Sequence, residues 1–269
     1  MVGLAVSSYQ IRSSNVLTIK KFGNKYKITW NKSIRNKGFE NLIDLQPEMI
    51  ITPFGTLAEV VPEFAGDRAN GLLEGVKMDN NISRAKSKIF EYAFCNEWDF
   101  FVTLTIDKDK YDRYDLNKFV KDLGQWIQNY YKIYGSKIWY LFIPEPHKDG
   151  AWHLHGLIRG VRPDHIVRNN YGYLDFPLYQ KKFGFISMDY IRDHDAVSKY
   201  ITKYITKELM CREFGQRTYY CSKGLQTAEV LYRIYDVDPD GFEWDFEHPD
   251  GFCRTSLVDN LDAFKELIG

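Results

Sequence analysis

Two runs of strand-forming residues meet at a single short turn: KIWYLFIPE (residues 137–145) and WHLHGLIRG (residues 152–160), joined through HKDGA (residues 147–151). So short a connection permits only an antiparallel hairpin. Its register then decides which side chains share a face, because a slip of one residue turns every side chain over. His153 and His155 project to one face and Leu154 to the other. A three-residue turn, Lys148 to Gly150, pairs 147 with 151 and so sets Glu145 beside His153. A two-residue Asp149-Gly150 turn pairs 146 with 153 and sends Glu145 to the far face. The odd count is the expectation.

The neighbouring sequence supplies partners for this hairpin. DNNISRAKSKIFEYAFCNE, from Asp79, places Ile82, Ala85, Ile89, Tyr92 and Ala93 at helical spacing behind capping residues. DFFVTLTID reads as a strand with Thr103 and Thr105 on one face. DLNKFVKDLGQWIQNYYKIYG is an amphipathic helix built on Leu116, Phe119, Val120, Leu123, Trp126 and Ile127 and ended by Gly135. FGFISMDY and RTYYCSK read as strands on either side of a helix predicted over Asp195 to Met210. Strand, helix, hairpin, strand, helix, strand predicts an antiparallel sheet backed by helices, an α+β fold.

Charge divides the chain more clearly than composition does. The total is balanced at 36 basic and 36 acidic residues, but residues 236–269 hold ten acids and two bases. The rest is correspondingly basic, which suits a polyanionic partner better than the net charge suggests. The expected organisation is residues 1–78 as short strands and loops (NVLTIKKF, KYKITW), residues 79–235 as the chemistry-bearing domain, and 236–269 as an acidic tail. The four cysteines show no CxxC spacing, no apolar run reaches the roughly 18 residues of a membrane span, and no secretory layout opens the chain. A cytoplasmic protein without membrane partners is expected.

Two imidazoles at i and i+2 on a strand lie roughly 7 Å apart at Cβ and can close on one ion. With Glu145 as a third donor and positions left open, the set suits Mg2+ or Mn2+ acting on phosphate, and zinc would bind too. By parity His147 is a competing ligand. The second constellation is KYITKYITKE (residues 199–208), a tetrad repeated in tandem. On a helix Val197, Ile201 and Ile205 form an apolar stripe, while Tyr200, Tyr204, Lys203 and Lys207 share the adjoining arc. A free phenol titrates near pH 10, so about one in a thousand is phenolate at neutral pH. Neighbouring lysines and a polarised phosphate both reduce that deficit. These are the parts a tyrosine needs to attack a phosphodiester.

Together FVTLTID, WHLHGLI and YITKYITK, in this order and spacing, resemble the three motifs of the HUH endonuclease superfamily, specifically its rolling-circle replication initiators (Rep proteins) with two catalytic tyrosines, similar to phage gene A-type and plasmid or integrative-element initiators. The resemblance covers roughly residues 80–225. It implies a central five-stranded antiparallel sheet flanked by helices, a ferredoxin-like palm. Metal ligands His153 and His155 with Glu145, nucleophiles Tyr200 and Tyr204, and supporting Lys203 and Lys207 are carried over with it. The implied activity is metal-dependent nicking and rejoining of single-stranded or locally melted origin DNA through a 5′-phosphotyrosine, leaving a free 3′-hydroxyl. The setting would be the cytoplasm of a bacterial host. No GxxxxGK[ST] loop is present, so a separate helicase and a polymerase are expected partners.

Arg84, Lys86, Lys88 and Lys223, with Thr103 and Thr105, are candidate DNA contacts. Competing readings are a conjugative relaxase, disfavoured because the tyrosines follow the histidines, a single-strand transposase, generally shorter and with one tyrosine, and a catalytically silent origin-binding protein.

Overall fold

The computed structural model describes residues 15–32, 51–52, 55–56, 82–205 and 217–265. In chain order the strands begin with β1 (Val16–Phe22), β2 (Lys25–Asn31), the small β3 (Ile51–Thr52) and β4 (Gly55–Thr56), and β5 (Phe100–Thr105). They continue with β6 (Trp139–Pro146), β7 (Trp152–Arg159), β8 (Val167–Arg168), β9 (Leu174–Asp175) and β10 (Ile186–Tyr190). The last are β11 (Tyr220–Cys221), β12 (Glu229–Tyr235), β13 (Phe246–Glu247) and β14 (Cys253–Val258). The helices are α1 (residues 82–94), α2 (Leu116–Tyr134), α3 (Pro177–Lys182) and α4 (His194–Tyr200). The fold is α+β, with antiparallel sheets of five and seven strands. No helix among the described residues is long and apolar enough to cross a membrane.

The chain divides into two units, residues 69–227 and the two terminal segments 1–68 with 228–269. In the first, the sheet order is β11-β6-β7-β5-β10-β9-β8. It is wider than the five strands the resemblance implies. The two-residue strands β8 and β9 extend it beyond β10 because the Asn169 side chain accepts from the Tyr171 and Tyr173 N–H groups and folds that segment back on itself.

Alternation along the strands gives this sheet two apolar faces. On one, Phe100, Val102, Leu104, Phe142, Leu154, Ile158, Ile186 and Met188 pack with Leu116, Phe119, Leu123, Ile127 and Tyr130 of α2. That helix begins where the Asp115 carboxylate accepts from the Lys118 N–H, and it ends at the left-handed Gly135. On the other face Leu141, Ile143 and Leu157 receive Ala85, Ile89 and Ala93 of α1 together with Ile201, Tyr204 and Ile205. Gly156 makes this layering possible: a Cβ there would stand 2.3 Å from the Phe142 ring and 2.5 Å from the Leu141 carbonyl.

In the second unit the sheet order is β12-β1-β2-β14-β13. The segment read as an acidic tail therefore contributes two strands, and β12, read as the end of the central domain, pairs with β1. The reason is alternation. Leu17, Ile19, Ile28 and Trp30 need a cover, and Val237, Phe264 and flanking Phe242 and Trp244 provide it. The acids are held at the surface, with Asp240 and Glu247 on Arg254 and Asp262 on Lys265.

Candidate active site

The hairpin adopts the odd register. Glu145 pairs with His153, Pro146 with Trp152, and the turn closes where His147 N–H donates to the Ala151 carbonyl at 2.7 Å. On the adjoining strand Thr105 pairs with His153 and Thr103 with His155. Glu145, His153, His155, Thr103 and Thr105 thus share the face covered in part by α1. The Glu145 carboxylate lies 2.6 Å from His155 Nε2. An ionised carboxylate only accepts, so in this arrangement Nε2 carries the proton and Nδ1 accepts from the Thr103 hydroxyl at 3.1 Å. Thr105 meets His153 Nδ1 at 3.3 Å. These threonine hydroxyls, expected to reach DNA, are instead spent on orienting the imidazoles.

Burial, more than any neighbouring charge, disfavours the protonated form of both histidines. For His153 the adjacent His147, whose ring stacks at 4.9 Å, adds to the effect. For His155 the Glu145 hydrogen bond opposes it. Neutral imidazoles and a carboxylate are the donor chemistry a divalent cation requires. Among the described residues, however, no three His, Cys, Asp or Glu side chains are gathered as a metal-holding group. Glu145 and His155 are in contact, and His153 shares their face without joining them.

The tyrosine segment departs from the single helix predicted over Asp195 to Met210. α4 starts with the Asp193 carboxylate accepting from the Ala196 N–H, and after Tyr200 the chain tightens into a 3-10 turn, Ile201–Tyr204. Three β-branched residues crowd this stretch, and the Thr202 hydroxyl donates back to the Lys199 carbonyl at 2.7 Å, competing with the helix ladder. Ile205 is already extended. Ile201 and Ile205 still bury completely against the sheet, as the apolar stripe requires. Lys207 lies outside the described residues.

The turn makes the two phenols unequal. Tyr204 is 8% exposed, and its ring lies flat on His155 with centroids 3.9 Å apart and planes 11° from parallel. Tyr200 is 45% exposed. Tyr204 Oη donates to Tyr200 Oη at 3.2 Å, and Lys203 Nζ donates to the same oxygen while lying 3.6 Å from the Tyr200 ring centroid. With both donors aimed at it, the Tyr200 phenol is shifted below its ordinary pKa, Lys203 being the larger cause. Burial, and the bond it gives to Tyr200, push Tyr204 the other way.

Phe101 escaped the sequence reading. Its ring sits 5.6 Å from Tyr200, 6.3 Å from Tyr204 and 6.5 Å from His155, completing an aromatic cluster around the phenols. The available signal was parity, since Phe101 lies two residues before Thr103 on the same face. Arg84 and Lys86 are exposed on α1 and Lys223 in the turn after β11. Lys88 bridges to Glu91 at 3.2 Å. A cavity of about 610 Å³ lined by Trp98, Phe100, Leu174 and Tyr190 lies elsewhere in this unit and contains none of the cluster.

An antiparallel sheet that sets a carboxylate–imidazole pair against two hydrogen-bonded phenols is equipped for phenol-oxygen chemistry beside a basic side chain. Residues 99–209, from β5 through the tyrosine segment, match a family model of replication-associated proteins, the ORF2 type. Neither the search of curated proteins nor that of solved structures found a match.

Proposed function

We propose that this chain is a replication initiator that nicks single-stranded origin DNA by tyrosine transesterification and rejoins the strands. The observation that carries the reading is the contact chain Glu145–His155–Tyr204–Tyr200–Lys203, which joins the two sequence motifs in one cluster within the segment matched to replication-associated proteins.

Tyr200 is the first nucleophile in this scheme. It is exposed, so a backbone phosphate can approach, and its two donors favour phenolate. Its Oη attacks phosphorus, the bond to the 3′ oxygen breaks, and the products are a 5′-phosphotyrosine and a 3′-hydroxyl. The phenolic proton leaves to water and the departing oxygen takes one back. Lys203, already on Tyr200 Oη, stays beside the charge that passes to the phosphoryl oxygens. Tyr204 keeps its proton and donates to Tyr200 during this first cut. Once Tyr200 is esterified, Tyr204 loses that partner and becomes the second nucleophile, which releases the first adduct to a new 3′ end. The ester conserves the bond energy, so rejoining needs no nucleotide.

Glu145, His153 and His155 would hold a divalent ion, Mg2+ or Mn2+, which when bound supplies charge neutralisation at the scissile phosphate. The chain's own part is to keep both imidazoles neutral and oriented through Thr103 and Thr105. The test is incubation with labelled single-stranded DNA and Mn2+, followed by peptide mapping of the covalent adduct. An adduct on Tyr200 is expected. Adduct persisting in the Tyr200→Phe, Tyr204→Phe double variant would overturn the reading.

A further inference from the structure

The helix and turn that cover the sheet face around Tyr204 leave the rest of that face bare. Register defines its rows. Glu145 pairs with His153, His153 with Thr105, and the Thr105 N–H donates to the Phe185 carbonyl at 2.9 Å, so Phe185 closes the row that begins at Glu145. At the usual strand spacing its ring is two strands, roughly 10 Å, from His153. The next row runs Ile143, His155, Thr103, Ser187, and the one after it Leu141, Leu157, Phe101, Asp189.

On the β6 and β7 side these rows end in buried Leu141, Ile143 and Leu157. On the β10 side they end in the open: Phe185 is 58% exposed, and Ser187 and Asp189 are exposed as well. β9 prolongs the bare stretch. Leu174 pairs with Met188, both buried on the α2 side, so Tyr173 turns to the site face beside Asp189, where it is 67% exposed.

Scattered exposed rings are ordinary on a protein surface. Here two of them lie on one continuous face, and one shares a row with the candidate reactive groups. Their supports are ordered before any ligand arrives. Asn169 holds the N–H groups of Tyr171 and Tyr173 at 3.0 Å each, and Arg168 donates to the Gly172 carbonyl at 2.8 Å. Phe185 follows α3, whose last turn carries exposed Lys181 and Lys182. Asp189, between the two rings, repels phosphate and leaves that stretch to bases, while the lysines favour backbone on the outer side.

We propose that Phe185 and Tyr173 form a stacking platform for unpaired bases of the strand whose phosphate reaches Tyr200, an inference that rests on the nicking reading above. Every base presents a π face, so such a platform grips single-stranded DNA without specifying its sequence. The two rings would hold the strand on one side of the cut while the tyrosine cluster acts on the other.

Full-length protein and a mixed-sequence single-stranded oligonucleotide carrying 5-iodouracil at successive positions test this, with ultraviolet crosslinks mapped by peptide mass. Crosslinks at Phe185 and Tyr173 are expected. Fluorescence anisotropy should show about ten-fold weaker binding for Phe185→Ala or Tyr173→Ala, with affinity restored in Phe185→Tyr. Unchanged affinity in the double alanine variant, with adduct formation intact, would remove the platform and leave the nicking reading standing. Crosslinks at Phe185 without any tyrosine adduct would support the platform and defeat the nicking reading. Loss of a dimer in Phe185→Ala, with DNA binding unchanged, would assign the face to a second copy of the chain and overturn the proposal.

Discussion

At the scale of single residues, the site depends on an inequality between two phenols that are identical in the repeated tetrad. Tyr200 accepts from Lys203 and Tyr204, whereas Tyr204 is pressed on His155 and buried. Tyr200→Phe should abolish the first adduct, at least a thousand-fold by the phenolate deficit of a water-exposed tyrosine. Tyr204→Phe should keep a single nick and lose repeated strand transfer, read as adduct that no longer turns over. The phenolate is the reactive form, so nicking should rise with pH and level off below the ordinary phenol value of about 10. Lys203→Met removes the leading cause of that shift. Its pH–rate profile should move to higher pH, with activity at pH 7 about ten-fold lower, and an unmoved profile would contradict the role given to Lys203.

At the scale of elements, the β6–β7 hairpin does most of the positioning. Its register sets Glu145 beside His153, and the neighbouring β5 brings threonine hydroxyls to both imidazoles. Gly156 lies between His155 and Leu157, where any side chain would meet Phe142 and the Leu141 backbone. Gly156→Ala should therefore cost about 1–3 kcal/mol, measured by urea denaturation, and should slow nicking more than its loss of stability explains, because His155 moves with the strand. The tyrosine element resists a simple reading. Helical periodicity captured the burial of Ile201 and Ile205, while the tightening after Tyr200 followed from β-branched crowding and the Thr202 back-bond, which pattern alone does not weigh.

At the scale of the molecule, the termini belong together. β1 and β2 are flanked by β12 on one side and β14 on the other, and Phe264 enters the core around Trp30. Deleting residues 246–269 should leave the β2 edge unpaired and Leu17, Ile28 and Trp30 partly uncovered. Limited proteolysis should then cut within residues 15–32 far faster than in the intact chain. A dispensable acidic appendage would leave the digestion pattern unchanged, and Trp30 Nε1 donating to the Val237 carbonyl at 3.1 Å argues against that outcome.

What the sequence determined by itself was local and periodic: the strands by alternation, α2 by its apolar stripe and caps, and the facing of His153 and His155 by strand parity. The odd turn count was enough to set Glu145 beside them. Tertiary structure alone decided the rest, because it depends on residues far apart in the chain. The pairing of β12 with β1 closes a separation of more than 200 residues, and the ring of Tyr204 on His155 joins elements whose relative placement no local pattern encodes. The same long-range packing set one phenol in the open under a lysine and the other beneath the sheet's cover, and so made two equal letters chemically different.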